Sequence, residues 1–575
     1  MVAYVWDRLS CDEGAVTALS SALRLHPVTA RILCLRGFAD PEAAQRFLAP
    51  SLSHLHDPFR LAGMSVAVDR ILTAVARREP IAIHGDYDVD GITSTVILRR
   101  TLELLGADVR HFIPERIRDG YGLQPETIER LQAEGVRLVV SVDCGIRGIE
   151  AGRRARDLGV DLIVTDHHEP GSELPQAVAV INPKRHDCDY PDKHLAGVGV
   201  ALKLVQGLCR RTDRERWLPA FVKVAAIGTL ADVVPLVGEN RVIAKLGLEM
   251  LSKGPNKVGL QALLDVAGLG GRTLDSSHVT FGIAPRVNAA GRMSVPDIAA
   301  RLLLASDEAM AAEARDLARQ LDEENVRRQQ EEMKIVAAAR RIVETDLDVG
   351  SRAVLVVAGE GWHRGVIGIV ASKLVDAFHR PAIVLSVDQD VAHGSCRSIP
   401  GFDILAALEA CGPLLARFGG HRQAAGLTME AARIREFRAA INAHADRELD
   451  PDDLRPRLQI DAGVTFRGLN GDLAHEVSRL APFGPGNRRP VFSAAGVEIV
   501  DGPRPLKERH LKMALRQDGR TFRAVAWRAI ERQAFLEEHR AQLEFAFSLE
   551  QNTFNGETFL ELTVADARRP PAPGA

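Results

Sequence analysis

Short β-branched runs alternate with helical stretches between Ile81 and Leu236. IAI at 81–83 precedes a helical pattern over Ile92–Leu105, and RLVVSV precedes one over Ile149–Leu158; DLIVT, AVAVI and an apolar helix around Trp217–Leu230 follow. Apolar strands separated by helix-length segments predict crossover units, that is, a parallel sheet with helices on its faces. In such sheets ligands gather at the carboxyl ends of the strands. From Asp307 to Asp346 the texture changes to Ala, Glu, Arg, Gln and Leu without Gly or Pro, which predicts a long connecting helix or a broken helix pair. RAVLVVAG, GIVASKLVDAF and PAIVLSV then alternate strand and helix once more, giving a second, smaller α/β domain. After about Pro451, the runs VFSAAGVEIV, HLKMALRQ, TFRAVAWR, FAFSLEQN and TFLELTVADA are separated by turn signals at the spacing of an all-β barrel or sandwich. The expected divisions are an N-terminal segment 1–60, a parallel-sheet domain 61–306, a connecting helix 307–346, a smaller α/β domain 347–450, a β-barrel 451–566 and a disordered tail 567–575.

At 575 residues the chain is too long for one core, and 46% hydrophobic with 26% charged residues is an ordinary globular composition. No apolar run reaches the roughly 18–20 residues needed to span a bilayer, and MVAYVWDRLSCDEG lacks the basic and apolar regions of a signal peptide, so no membrane partner and a cytoplasmic location are expected. The seven cysteines are scattered and form no C-x-x-C pair, which disfavours both a disulfide framework and a thiolate zinc site. A net charge of -3 gives no global attraction to nucleic acid, so a polyanion would have to be held by local basic patches.

The candidate chemistry lies where the sheet predicts it. In IAIHGDYDVDG, His84, Asp86, Asp88 and Asp90 follow a strand directly, and Gly91 opens the next helix. VVSVDCG places Asp143 after the next strand, LIVTDHHEP places Asp166, His167 and His168 after the one beyond, and IGTLADVVPL supplies Asp232 at the end of an apolar helix. A single aspartate after a strand is most often a helix cap or a turn residue. Four segments delivering carboxylates and imidazoles to one sheet edge, in order and at crossover spacing, instead suit divalent ions such as Mn²⁺ or Mg²⁺, two of them sharing a bridging carboxylate.

HGDYDVDG, VDCG, TDHHEP and GTLADVVPL resemble the four ordered motifs of the DHH phosphoesterase superfamily. The resemblance continues through FGIAPRVNAAGR, GVIGIVASKL, GSCRS and FGGHRQAAGL, the last two similar to signatures of the DHH-associated domain. PFGPGNRRPVF, HLKM and the β-rich end narrow it to the bacterial single-strand-specific exonucleases of that superfamily, over about residues 60–566. This resemblance implies a parallel-sheet DHH domain and a DHH-associated α/β domain joined by the long helix, then an OB-like barrel. It implies a hydrolase that degrades single-stranded DNA 5′ to 3′ to mononucleotides in DNA recombination and repair. His84, Asp88 and Asp143 would hold one Mn²⁺ or Mg²⁺ ion; Asp90, Asp143, His167 and Asp232 would hold the other. Asp86 and His168 would join Asp143 in the catalytic set, next to the ligands or on the substrate phosphate.

Arg116, Arg286, Asn288, Arg292, Ser395 and Arg397 lie in motif-like loops at positions that resemble the family's phosphate contacts, with Arg116, Arg292, Ser395 and Arg397 forming the pocket for a 5′-terminal phosphate; His363, with Trp362, precedes a helix N-terminus where a phosphate could sit, and His421 could touch DNA or cap a turn. The C-terminal stretch carries Arg488, Arg489, Arg504, Lys507, Arg509, Lys512, Arg516, Arg520, Arg523 and Arg528, and Phe522 and Trp527 would stack bases among them. Single-stranded DNA is the expected partner, with single-strand-binding protein and a repair helicase as protein partners and a monomer as the expected state. The competing expectations are a phosphodiesterase for short oligonucleotides or cyclic dinucleotides, which needs no strand-tracking barrel, and a non-catalytic replication-fork scaffold, whose ligands would have decayed.

Overall fold

The computed structural model describes residues 4–116, 118–120, 122–254, 256–345, 352–554 and 557–570. They form two compact units: Asp12–Asn325 with Glu476–Arg489, and Met1–Cys11 with Val326–His475 and Pro490–Ala575.

The first unit is built on five parallel strands in the order Val109–Phe112, Ile81–His84, Leu138–Val142, Asp161–Thr165 and Ala179–Ile181. Side chains alternate across a strand, so Ile81, Ile83, Leu138 and Val140 enter one core with Ile97, Val200 and Leu204. Ala82, Val139, Leu162 and Val164 enter the opposite core with Ile128, Ala151 and Ala155. Both faces are covered, which is why these strands read as unbroken apolar runs. His84 pairs with Ser141, Ser141 with Val164 and Thr165 with Ile181, so the strands end in step, and the loops beyond them share one edge.

Residues 1–60 are less uniform than a single N-terminal segment. Glu13–Leu23, Pro27–Leu35 and Pro41–Leu48 are helices of the first unit, started by Asp12, by His26 with Pro27, and by Asp40 with Pro41. Val5–Arg8 is instead a strand of the second unit, paired in parallel with Arg457–Ile460. A second departure is the strap Glu476–Arg489, which belongs to the first unit although it lies within the expected barrel. Arg241, 1% exposed, holds it: Nε donates to Phe47 O at 2.6 Å, while its two terminal nitrogens donate to the carbonyls of Leu480 at 2.9 Å and Ala481 at 3.2 Å. A fork of five donors can satisfy several carbonyls at once, so the guanidinium stays buried with no carboxylate among these partners.

In the second unit the long helix, Ala311–Thr345, runs 35 residues and contributes its first part to the other unit. The smaller α/β domain has five strands in the order Arg417–His421, Ala424–Glu430, Val391–Arg397, Ala382–Asp388 and Leu355–Glu360, of which only the last pair is parallel. The barrel strands are Phe492–Leu506, His510–Gln517, Arg520–Ala526, Glu557–Arg568 and Leu543–Phe554; the last also pairs with the first and closes the ring. Phe466 meets Phe522 at 5.2 Å and Phe547 at 5.9 Å inside it. Phe522 is therefore a core residue, a correction to its expected role beside Trp527, which remains 57% exposed. Ala567 and Arg568 continue the last strand rather than opening a disordered tail, and 571–575 lie outside the described residues.

Candidate metal centre

The loop after Ile81–His84 turns into the helix Val89–Leu104, and each aspartate on it has a distinct backbone function. Asp88 caps its own helix, accepting from Gly91 N at 3.1 Å. Asp90 is aimed instead at the start of the helix Gly197–Arg211, where Gly197 N and Val198 N donate to its two carboxylate oxygens at 2.6 and 2.8 Å. The loop folds this tightly because residue 91 is glycine: a Cβ there would fall 2.6 Å from Asp86 N. Gly197 serves the facing side, since its Cβ would fall 2.2 Å from Asp143 Oδ1. Asp143 itself sits at φ 60°, a left-handed conformation that costs a non-glycine residue about 1–2 kcal/mol. That backbone turns its carboxylate inward at the end of a fully buried strand.

His167 is the meeting point. Its Nε2 lies 3.3 Å from Asp143 Oδ1, 3.8 Å from Asp232 Oδ2 and 3.9 Å from Asp90 Oδ2. Three groups of side chains have ligand atoms close enough to share an ion: Asp90, His167 and Asp232; Asp86, Asp88 and Asp143; and Asp143, His167 and His168. Asp143 appears in two of the three, the position of a bridging ligand. The first group contains three of the four residues implied for one ion, and the fourth, Asp143, lies 3.3 Å from His167 Nε2. In the second, Asp86 stands beside Asp88 and Asp143, while His84 lies outside all three.

Burial raises the carboxyl pKa of Asp86, Asp88, Asp90 and Asp143, and neighbouring aspartates add to the shift; Asp86 is pushed up to about 8. Burial has the opposite effect on an imidazole and pushes His84 down to about 4, so its ring is neutral, the form that ligates metal. His84 Nε2, Asp86 Oδ1, Asp143 Oδ1 and Asp232 Oδ2 are buried without a hydrogen-bond partner. Leaving one such atom unpaired costs about 1–3 kcal/mol, more where it is charged. The unpaired oxygens of Asp86, Asp143 and Asp232 within these ligand groups, with the unpaired His84 Nε2 at the end of its strand, fit a divalent-ion centre of oxygen and imidazole ligands.

His168 differs from its neighbour. Burial lowers its pKa, but a 2.7 Å contact of Nδ1 with Asp166 Oδ1 and the charge of that carboxylate outweigh burial and raise it. Asp166 stays below the usual carboxylate range despite burial, because His168 and the backbone N–H groups of Ile146 and His167 donate to it. Asp166 stands outside the ligand set implied by the motifs; its signal was its place as the first polar residue after a buried strand. Cys144, absent from that set as well, packs its thiol 3.5 Å from His84 Nδ1.

The basic candidates divide. Arg116 is exposed and lies 5.0 Å from the centroid of the Tyr87 ring. Arg292 is half-buried in the last turn of the helix Ala284–Met293. Arg286 is engaged within the fold, donating to Asp322 at 2.8 Å, Gly282 O at 2.6 Å and Val266 O at 3.4 Å. Asn288 Oδ1 accepts from Val89 N at 3.2 Å, steadying the start of the helix that carries Asp90. These two hold the framework, where the motifs implied direct phosphate contact. In the second unit, Arg397 donates to Ser395 Oγ at 3.2 Å, and both flank Gly368 in the first turn of the helix Ile367–Phe378. His363 Nδ1 accepts from Gly365 N at 3.1 Å in the turn before that helix, and exposed His421 ends the strand Arg417–His421.

A parallel sheet whose edge carries this cluster defines a DHH-type phosphoesterase unit, and residues 80–229 match the N-terminal domain model of the DHH family. Residues 351–446 match the DHHA1 domain and 460–566 the RecJ OB domain. The single-stranded-DNA-specific exonuclease RecJ of Salmonella typhimurium is 33% identical over 94% of this chain and 96% of its own length. RecJ of Bacillus subtilis is 39% identical over 91% of this chain, which spans 65% of that protein. The crystal structure of Thermus thermophilus RecJ in complex with Mn²⁺ superposes with a TM-score of 0.84 at 34% identity, covering 99% of this chain and 80% of that one. The chain belongs to the RecJ family.

Proposed function

We propose that the chain is a metal-dependent exonuclease that hydrolyses single-stranded DNA from the 5′ end to mononucleotides, in recombination and repair. The observation that carries this reading is the gathering of carboxylates and imidazoles into three groups whose ligand atoms are close enough to share an ion. Relatives named as single-stranded-DNA-specific exonucleases, and a relative's structure with Mn²⁺, support it. Two divalent ions, when bound, neutralise the scissile phosphate and lower the pKa of the attacking water.

Asp90, His167 and Asp232 would hold one ion and Asp88, His84 and Asp86 the other, with Asp143 between them. The fold fixes these groups in advance: Asp90 by two backbone donors, and Asp143 by its left-handed backbone. His168, whose pKa is raised by Asp166 against its Nδ1, would offer its second ring nitrogen as a donor to a phosphate oxygen. Ser395 and Arg397, above the first turn of a 12-residue helix, suit a 5′-terminal phosphate, because backbone N–H groups point out of a helix start. Arg116 and Arg292 would take backbone phosphates beside Tyr87, and His363 and His421 would contact the strand in the second unit. No helix among the described residues is long and apolar enough to cross a membrane, and we place the protein in the cytoplasm as a monomer that works with single-strand-binding protein and a repair helicase.

The test is an assay with Mn²⁺ or Mg²⁺ on single strands labelled at either end, a blunt duplex and a cyclic dinucleotide. Mononucleotide release from the 5′ end of single strands alone is expected; loss from the 3′ end, or cleavage of the dinucleotide alone, overturns the reading.

A further inference from the structure

Next to the metal centre the surface turns apolar. Asp232 Oδ1 accepts from Val233 N at 2.8 Å, so Val233 is one hydrogen bond from a carboxylate whose other oxygen faces His167, yet its side chain is 84% exposed. Beside it lies a single π-helical turn, His278–Ile283, tied to the same segment by Thr280 Oγ1, which donates to Leu230 O at 3.3 Å. Phe281 on that turn is 78% exposed, while its neighbours Val279 and Ile283 are fully buried. A π-turn inserts one residue into the helical register, and such turns recur at functional sites. Here it puts a phenyl ring in water while Val279 and Ile283 anchor the turn on either side. The strap steadies both segments: Leu236 N donates to Pro485 O at 2.7 Å and Ser276 Oγ donates to Phe483 O at 2.8 Å.

We propose that Phe281, with Val233, is a stacking ledge for a nucleobase of the single strand whose phosphate lies at the metal centre. The inference rests on the nuclease reading and adds to it a specific contact for the base, which the metal centre itself does not read. A nucleobase is the occupant that fits: a flat π-face stacks on an exposed ring irrespective of sequence, and the phosphate attached to it is drawn to the adjoining centre. Fully paired duplex keeps its bases stacked on each other, so the ledge also favours an unpaired strand.

The experiment measures Mn²⁺-dependent hydrolysis by Phe281→Ala and Phe281→Trp on a single-stranded oligonucleotide, and on the same strand with abasic nucleotides at the first four positions from the 5′ end. Phe281→Ala should raise KM about ten-fold on the normal strand and change it less than two-fold on the abasic strand, with kcat preserved on both. Phe281→Trp should retain wild-type KM, and its added fluorescence should be quenched by the normal strand and not by the abasic one. An equal KM change on both strands, or no change on either, overturns the ledge while leaving the nuclease intact. A wild-type protein inactive on every strand defeats the nuclease reading instead, and quenching of Phe281→Trp by neither strand shows that the ring serves another partner.

Discussion

At the edge of the parallel sheet, His84, Asp86 and Asp143 are buried with polar atoms that make no hydrogen bond, whereas on the barrel Arg504, Arg516 and Arg523 stand exposed beside partners of their own module. Arg504 pairs with Asp501, Arg516 with Glu498 at 2.9 Å, and Arg523 lies 5.2 Å from the Phe559 ring. The difference lies in what each arrangement costs without its ligand. Like charges packed out of water raise one another's pKa and oppose folding until a cation arrives. Exposed ion pairs are worth about 0–1 kcal/mol each, so a phosphate can replace the carboxylate at little loss. The sheet edge should therefore respond to substitution steeply in catalysis and weakly, or favourably, in stability, and the barrel should respond in small, salt-dependent steps.

The steepest test is Asp143→Asn. Asparagine tolerates the left-handed backbone and keeps the volume, so what it removes is charge. Turnover is expected to fall on the order of 10³-fold or more. The metal-free thermal midpoint, read by calorimetry, should stay level or rise, and a clear fall would break the contrast with the barrel. Asp166→Asn comes next, with a loss of about 10–100-fold, the range for residues that orient a site from behind it. His168 would lose the carboxylate charge that helps to raise its pKa, so the alkaline limb of the pH–rate profile should move to lower pH. An unmoved limb would show that Asp166 only shapes the loop.

Proton release gives a third, milder test. Asp86 is held up to about 8 in the metal-free protein, against its ordinary 3.8. A carboxyl whose folded pKa is raised loses stability as pH rises between those two values, because the fold favours its protonated form. An ion displaces that proton, so Mn²⁺ should bind more tightly at pH 8 than at pH 6 and raise the thermal midpoint more there. Titration calorimetry in buffers of different ionisation enthalpy would count the protons released; equal midpoint gains at both pH values would contradict the buried cluster.

Much of the sheet edge was legible because its signal is local. Most of the ligands lie at or just beyond the end of an apolar strand, Asp232 ends an apolar helix, and strands that end in step bring successive loops together without any long-range knowledge. The parts that were not legible depend on distant partners. Arg286 and Asn288 sit in a glycine-flanked motif that reads as phosphate-binding, but Asp322 and the Val89 backbone, far along the chain, engage them. Phe522 has the same alternating neighbours as an exposed stacking residue, and only closure of the barrel against Phe466 puts it in the core. The pairing of Val5–Arg8 with Arg457–Ile460 joins segments about 450 residues apart, and no periodicity in either reports it.

The smallest expected effect falls on the barrel, at Trp527. Its ring is 57% exposed and meets His510 edge-on at 4.9 Å, and His510 is itself fixed by Arg528 N, which donates to its Nδ1 at 2.8 Å. A ring steadied on one edge and open on a face can stack a base, a contact worth about 1–3 kcal/mol. Trp527→Ala should weaken binding of a long single strand a few-fold and leave kcat on the metal centre unchanged. Because no charge is removed, the slope of log affinity against log salt should stay the same, whereas Arg523→Ala should reduce that slope by about 1 if the arginine reaches a phosphate. A loss of turnover in Trp527→Ala on saturating DNA would mean that the barrel shapes the catalytic step and does more than hold the strand.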